Sequence, residues 1–262
     1  MSFDLRTGRL PMLVSMPHSG VDIPDELVER LTPEALVRAD TDWHLPQLYD
    51  FLDDVGVSRI AARWSRYVVD LNRPPEDTNL YPGLDTTSLC PIDTFGRAPL
   101  YQPGEAPAPE EIAARVTRYF RPYHAALRDE LDRLLALHGR VVLWDAHSIA
   151  SVVPRFFEGR LPDLNFGTAA GKSCAPELAA RIVDLARQSG VFTVVENGRF
   201  KGGHITRHYG KPDARVHAVQ LEMCQCLYMD EHAPFAFQPE VAARIQPLLR
   251  TLVDAAAKWA LG

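Results

Sequence analysis

Apolar positions along this chain follow two rhythms. Short runs in which every or every second residue is apolar read as strands: LPMLVSM (10–16), VSRIAARW (57–64), YVVDLNR (67–73), RVVLWDAHS (140–148), VFTVVENG (191–198) and VHAVQLEMC (216–224). Longer stretches with apolar residues three and four apart read as helices. LTPEALVRAD (31–40) opens one, with Thr32 as its cap and Pro33 at the first helical position. LPQLYDFLDDVG (45–56) carries Leu45, Leu48 and Leu52 at helical spacing and stops at Gly56. The stretch 109–139 is a long amphipathic helix, bent near Pro122 and ended by Gly139. SCAPELAARIVDLARQSG (173–190) is another, capped near Ser173 and stopped by Gly190, and a terminal helix runs on from Pro239. Residues 73–109 are rich in Pro, Gly, Asp and Thr and hold no period, so they form a long irregular excursion of a kind that often carries function.

Strands alternating with long helices place the chain in the α/β class, as a three-layer α/β/α fold with helices on both faces of a mixed, mostly parallel central sheet. No repeat or low-complexity linker interrupts it, and residues 1–262 read as one catalytic domain. The net charge of −6 argues against general affinity for nucleic acid or an anionic membrane. It leaves room for a small acidic substrate, because a few arginines inside a cleft outweigh the surface average. The sequence shows no basic leader with an apolar core and no apolar run of ~18 residues, so neither a signal peptide nor a membrane span is expected. Cys90, Cys174, Cys224 and Cys226 are too few for a disulfide framework in a chain of this size; reduced thiols and a cytoplasmic location follow.

In open α/β sheets ligands gather beyond the carboxyl ends of strands. Four apolar runs finish there in a metal-binding or charged residue: His18 in MPHSG, Asn72 and Arg73 in VDLNR, Asp145 and His147 in WDAHS, and Glu222 in VQLEM. Two histidines from separate strands and one carboxylate make a three-ligand zinc site with an open position, the pattern of a hydrolytic metal, one divalent ion per chain. The carboxylate is sought in ADTDWH, where Asp40, Asp42 and His44 alternate. Asp42 is favoured, although either aspartate could equally cap the helix that begins near Leu45. Asp145 would then orient the His147 ring or a neighbouring group. Glu222 lies in a run too apolar for an exposed edge and is the candidate general base, with Asp145 as the next candidate for that proton. The glycines of NGRFKGGHITRHYG (197–210) suggest a loop able to close over a ligand, while Cys224 and Cys226, on the face of Glu222 if the strand continues, are expected to be buried thiols.

The ordered set PHSG, DTDWH, VVDLNRPP, DAHS, NGRFKGGHITRHYG and VQLEM resembles the N-formylglutamate amidohydrolases (N-formylglutamate deformylases) of bacterial histidine degradation, over most of the chain. That resemblance implies a zinc-carboxypeptidase-like fold in which a strand-end His, an acidic residue and the His of an Asp-x-His hold zinc. It further implies that an Asn-Arg pair grips a substrate carboxylate and that a late strand-end Glu is the base. His18, His147, Asn72, Arg73 and Glu222 match those roles. Relatives in the wider group place a Glu three residues after the first His; here that position is Val21, which leaves the acidic ligand open between Asp22, Asp40 and Asp42. An N-acyl glutamate carries two carboxylates, which suit arginine forks: Arg73 is the first candidate, Arg207 and His204 come next, and Arg66 is weaker. The expected reaction is hydrolysis of N-formyl-L-glutamate to formate and L-glutamate. The alternatives are an amidohydrolase for another N-acyl amino acid or small peptide, a phosphohydrolase using the Asp-x-Asp of ADTDWH, and a metal-binding module without catalysis.

Overall fold

The computed structural model describes residues 2–262. Seven strands, β1 (Phe3–Arg6), β2 (Met12–Met16), β3 (Ser58–Ala62), β4 (Val141–Ile149), β5 (Leu164–Gly167), β6 (Val194–Glu196) and β7 (Val216–Cys224), form one sheet in the order β1-β3-β2-β4-β7-β5-β6. β3, β2, β4 and β7 run parallel, β1 and β5 pair antiparallel to their inner neighbours, and β6 runs parallel to β5. The sheet is therefore mixed and mostly parallel, as the alternation of strands and helices implies. The helices are α1 (Asp25–Val28), α2 (Pro33–Val37), α3 (Leu45–Leu48), α4 (Leu52–Val55), α5 (Pro109–Arg115), α6 (Arg121–His138), α7 (Pro176–Gln188), α8 (His204–Tyr209) and α9 (Pro239–Leu261). No helix of the described residues is long and apolar enough to cross a membrane.

The central strands are buried on both faces, and their alternation divides the core in two. Met12, Val14 and Met16 of β2, Val142, Trp144 and Ala146 of β4, and Val219, Leu221 and Met223 of β7 pack with α7 and α9 on one face. Leu13, Leu143 and Ala218 point the other way and pack against α6. Successive side chains of a strand alternate between faces, so Asp145 and His147 continue the row begun by Val141 and Leu143, and Glu222 continues the row of Ala218 and Gln220. The α6 face of β4 thus turns from core to polar site at Asp145.

Several elements differ from the sequence expectation. Tyr67–Arg73 forms no strand; it is a buried irregular segment whose backbone bonds to the excursion, Asp70 N–H donating to Leu89 O. β1 and β5 do alternate, as FDLR and LNFG, but at four residues each they are too short for the alternation to stand out along the chain. The helix expected over 45–56 is two single turns, α3 and α4, with Gly56 at φ +84° ending the second. Thr32 caps α2 by accepting from Ala35 N–H, as read from the sequence. Ser173 does not cap α7; its hydroxyl donates to Ala218 O and ties the helix entrance to β7. The long helix carries its irregularity as a wide turn over Val116–Phe120, just before Pro122, whose missing N–H leaves one rung of the regular ladder unmade.

Candidate active site

Beyond the carboxyl ends of β2, β4 and β7 lies a pocket of about 120 Å³, well below the ~300–1,000 Å³ of drug-sized sites and suited to a small metabolite. His18, Asp42, His147 and Glu222 line it, with Arg73 and Arg199. His147 and Glu222 are register partners on the adjacent parallel strands β4 and β7, so the sheet itself sets them side by side. His18 arrives two residues after β2. Asp42 is held against it by its own backbone, Asp42 N–H donating to His18 O at 3.0 Å.

Potential ligand atoms of His18, Asp42 and His147 all lie within 4.8 Å of one another, and all three residues are buried. Asp42 Oδ2 stands 3.0 Å from His147 Nδ1 and 3.8 Å from His18 Nδ1. The far nitrogen of each ring is backed by another carboxylate. His18 Nε2 lies 2.7 Å from Asp70 Oδ1, and His147 Nε2 lies 3.1 Å from Asp145 Oδ1. A carboxylate behind a ring fixes its orientation and directs the opposite nitrogen's lone pair inward. Asp145 Oδ1 is buried and accepts no hydrogen bond. Moving the His147 proton from Nδ1 to Nε2, as a cation among the three inner atoms requires, would give that oxygen its donor. The donor set and the orphaned oxygen together fit a single divalent ion.

The carboxylates around these donors favour positive charge among them. Burial draws the His18 ring below its usual pKa, Arg66 adding to the effect against the pull of Asp70. Burial also opposes a charge on His147, but Asp145 and Asp42 outweigh it and hold that ring well above its ordinary value. Burial likewise disfavours a charged Asp70, yet His18, Arg66 and Arg73 keep it well below the usual carboxylate range. Arg66 donates to Asp70 Oδ2 at 2.7 Å, so its charge is spent on the scaffold. Glu222 has no such partner: burial pushes its carboxyl up to about 8, with His147 opposing and Asp42 adding to the rise. A carboxyl poised near working pH can both take and return a proton.

The structure brings His18, Asp42, His147, Glu222, Asn72 and Arg73 to one place, and it separates the rival carboxylates. Asp22 pairs with Arg63 at the surface, and Asp40 Oδ2 accepts from Phe95 N–H. Asn72 is at the site but its amide is engaged: Nδ2 lies 2.8 Å from His147 Nε2 and donates to Asp145 Oδ2 at 3.2 Å, while Oδ1 accepts from Ile205 N–H. It is a brace for the histidine rather than a free grip for a carboxylate. Asp145 is fully buried behind His147 and away from the pocket, which removes it as a candidate base. The His204 ring stacks on His208 at 4.9 Å and faces His124, and Arg207 donates from Nε to Gly202 O, so neither lines the pocket. Cys224 stays on the Glu222 face of β7, whereas Cys226 leaves the strand in a short turn.

Two residues escaped the sequence reading. Asp70 sits inside the quoted VVDLNR, and an acid in so apolar a run is a signal in itself, since a buried carboxylate needs a partner. Arg199 sits inside NGRFKGGHITRHYG, eight residues before the Arg207 that the sequence suggests. The glycines of that segment serve close approach: a Cβ on Gly203 would stand 2.6 Å from Asn72 Nδ2.

Comparison with known proteins points the same way. Residues 10–229 match the family profile described as N-formylglutamate amidohydrolase. An N-formylglutamate deformylase of Pseudomonas aeruginosa is 50% identical over 254 residues, covering 97% of this chain and 95% of that protein. One of Pseudomonas putida is 49% identical over 252 residues, covering 96% of this chain and 94% of its own length. The solved structure of an N-formylglutamate amidohydrolase from Ralstonia eutropha JMP134 superposes with a TM-score of 0.84 at 26% identity, over 99% of this chain and 98% of that one.

Proposed function

The chain belongs to the N-formylglutamate amidohydrolase family, and from that premise we propose that its pocket hydrolyses N-formyl-L-glutamate to formate and L-glutamate with a divalent metal ion held by His18, Asp42 and His147. The observation that carries the reading is the convergence of three inward-facing donor atoms, two of them backed by carboxylates, beside the unpaired carboxyl of Glu222. A zinc-type ion in that position would supply a Lewis acid that lowers the pKa of a water and polarises the formyl carbonyl.

The chain's own residues do the rest. Glu222 takes a proton from the attacking water and returns it to the amide nitrogen as the C–N bond breaks, so that formate leaves and the amine of glutamate is freed. Asp70 and Asp145 fix the two rings, and Asn72 spans Asp145 and His147 so that the second ring cannot swing. Arg73 is half-buried beside the pocket, and among the described residues its guanidinium has no bonded carboxylate, leaving it to take a substrate carboxylate. A phosphohydrolase reading of ADTDWH finds no support, because Asp40 is bonded to Phe95 N–H and neither aspartate follows a strand. All four cysteines are free, in keeping with a cytoplasmic setting.

Purified chain should release formate from N-formyl-L-glutamate, lose that activity in a strong chelator and regain it with zinc. Formate release that persists undiminished after the metal is stripped would overturn the metal reading.

A further inference from the structure

The pocket holds a second cation that none of the roles above uses. Arg199, in the loop between β6 and α8, lines the pocket and forms no ion pair among the described residues; the carboxylates nearest in effect are Glu222 and Asp85, the latter already paired with Arg97 and Arg155. Its only protein hydrogen bond among the described residues runs from Nε to Phe156 O at 2.6 Å, which leaves both terminal nitrogens of the fork uncommitted. The guanidinium is clamped by aromatic faces: it lies 5.4 Å from the Tyr81 ring, 5.7 Å from Phe156 and 5.2 Å from Phe200. Tyr81 is itself fixed, donating to Gly202 O and accepting from Lys201 N–H, so the excursion of 73–109 and the loop before α8 hold the cation jointly. An arginine placed this rigidly, charged at every relevant pH and without an anion, is built to receive one.

The two free guanidiniums differ in position. Arg73 lines the pocket with His18 and acts on Asp70, the carboxylate bonded to that ring, and so belongs to the wall beside the proposed metal. Arg199 belongs to the aromatic wall formed by Tyr81 and Phe156. A substrate with its formyl group between His147 and Glu222 has one carboxylate on the carbon bearing the scissile nitrogen and a second two methylenes further away. We propose that Arg199 binds the distal, side-chain carboxylate of the substrate and sets the enzyme's preference for glutamate, while Arg73 binds the proximal one. This rests on the formylglutamate reading above.

The test compares kcat/KM for three substrates: N-formyl-L-glutamate, N-formyl-L-glutamine, which lacks the distal charge, and the α-amide of N-formyl-L-glutamate, which lacks the proximal one. R199Q should lower kcat/KM about 100-fold for the two substrates that keep the distal carboxylate and leave N-formyl-L-glutamine within a few-fold. R199K keeps the charge but not the fork and should lose about tenfold on the same ratio, which carries the test should R199Q fold poorly. An equal fall on all three substrates would make Arg199 a loop anchor and overturn the proposal, as would no change at all. Wild-type protein that released formate from none of them would sink the hydrolase reading itself, whereas activity with an unmoved substrate ratio sinks only the role of Arg199.

Discussion

His18 and His147 can each serve as ligands only because something stands behind them. Asp70 bonds the first ring at 2.7 Å and is in turn gripped by Arg66, and Asp145 lies 3.1 Å behind the second. Asp70→Asn should therefore keep the fold yet weaken metal affinity by about 10- to 100-fold, read by competition against a chromogenic chelator. Unchanged affinity would assign Asp70 to packing alone. His147→Ala removes a proposed ligand and should abolish both bound metal and turnover; full zinc by elemental analysis in that variant would move the site elsewhere. At this scale the meeting of His18, His147 and Glu222 in one pocket was legible, because each is a chemically distinctive residue that ends an apolar run. Less legible were Asp70, Asn72 and Arg199, whose roles depend on contacts across 52, 75 and 43 positions of chain that no local spacing encodes.

Among the elements, β4 and β7 carry the most. Their nine paired positions place His147 beside Glu222, and both strands were legible because long, fully buried parallel strands read as continuous apolar runs. The run 67–73 looked the same and is not a strand. Tyr67, Val68, Val69 and Leu71 are buried as a strand's would be, but their backbone is taken up by the excursion and by Arg115, which donates to Val68 O. Periodicity measures burial, and only pairing makes a strand. The segment entering α8 is keyed to the same place, with His204 N–H donating to Asn72 O and Gly203 pressed against the Asn72 amide. Gly203→Ala should push that amide off His147 and depress kcat more than about tenfold while costing about 1–3 kcal/mol of stability. Steady-state kinetics beside a denaturant melt would check both, and a fully active variant would mean that Asn72 does not brace the histidine.

Across the whole molecule polar side chains are buried outside the site as well, and one of them has a consequence for acid stability. His124, packed on Phe120 and bonded to Tyr209 and Leu71 O, has its pKa lowered from 6.5 to about 3, by burial first and then by His204, His208 and Arg128. Between those two values the unfolded chain binds a proton that the folded chain refuses, so stability rises with pH and falls as pH drops below 6.5. The cost is about 1.4 kcal/mol per pH unit for this one ring. The melting temperature of His124→Gln should fall less steeply between pH 7 and pH 5 than that of the parent; identical slopes would place the acid sensitivity in other groups. Neither this burial nor the division of the core by the sheet could be read along the chain, since both arise where α6, α8 and the sheet close on one another. On the proposed reading, a metal held in part by His147 of β4 and the carboxyl of Glu222 on the neighbouring β7 divide the labour of hydrolysing N-formyl-L-glutamate. Formate release and metal content measured in the same preparation of Glu222→Gln test it most directly. One divalent ion per chain is expected, as in the parent, with turnover reduced by about 10²–10⁴-fold. A variant that keeps its metal and works at near the parent rate would contradict it.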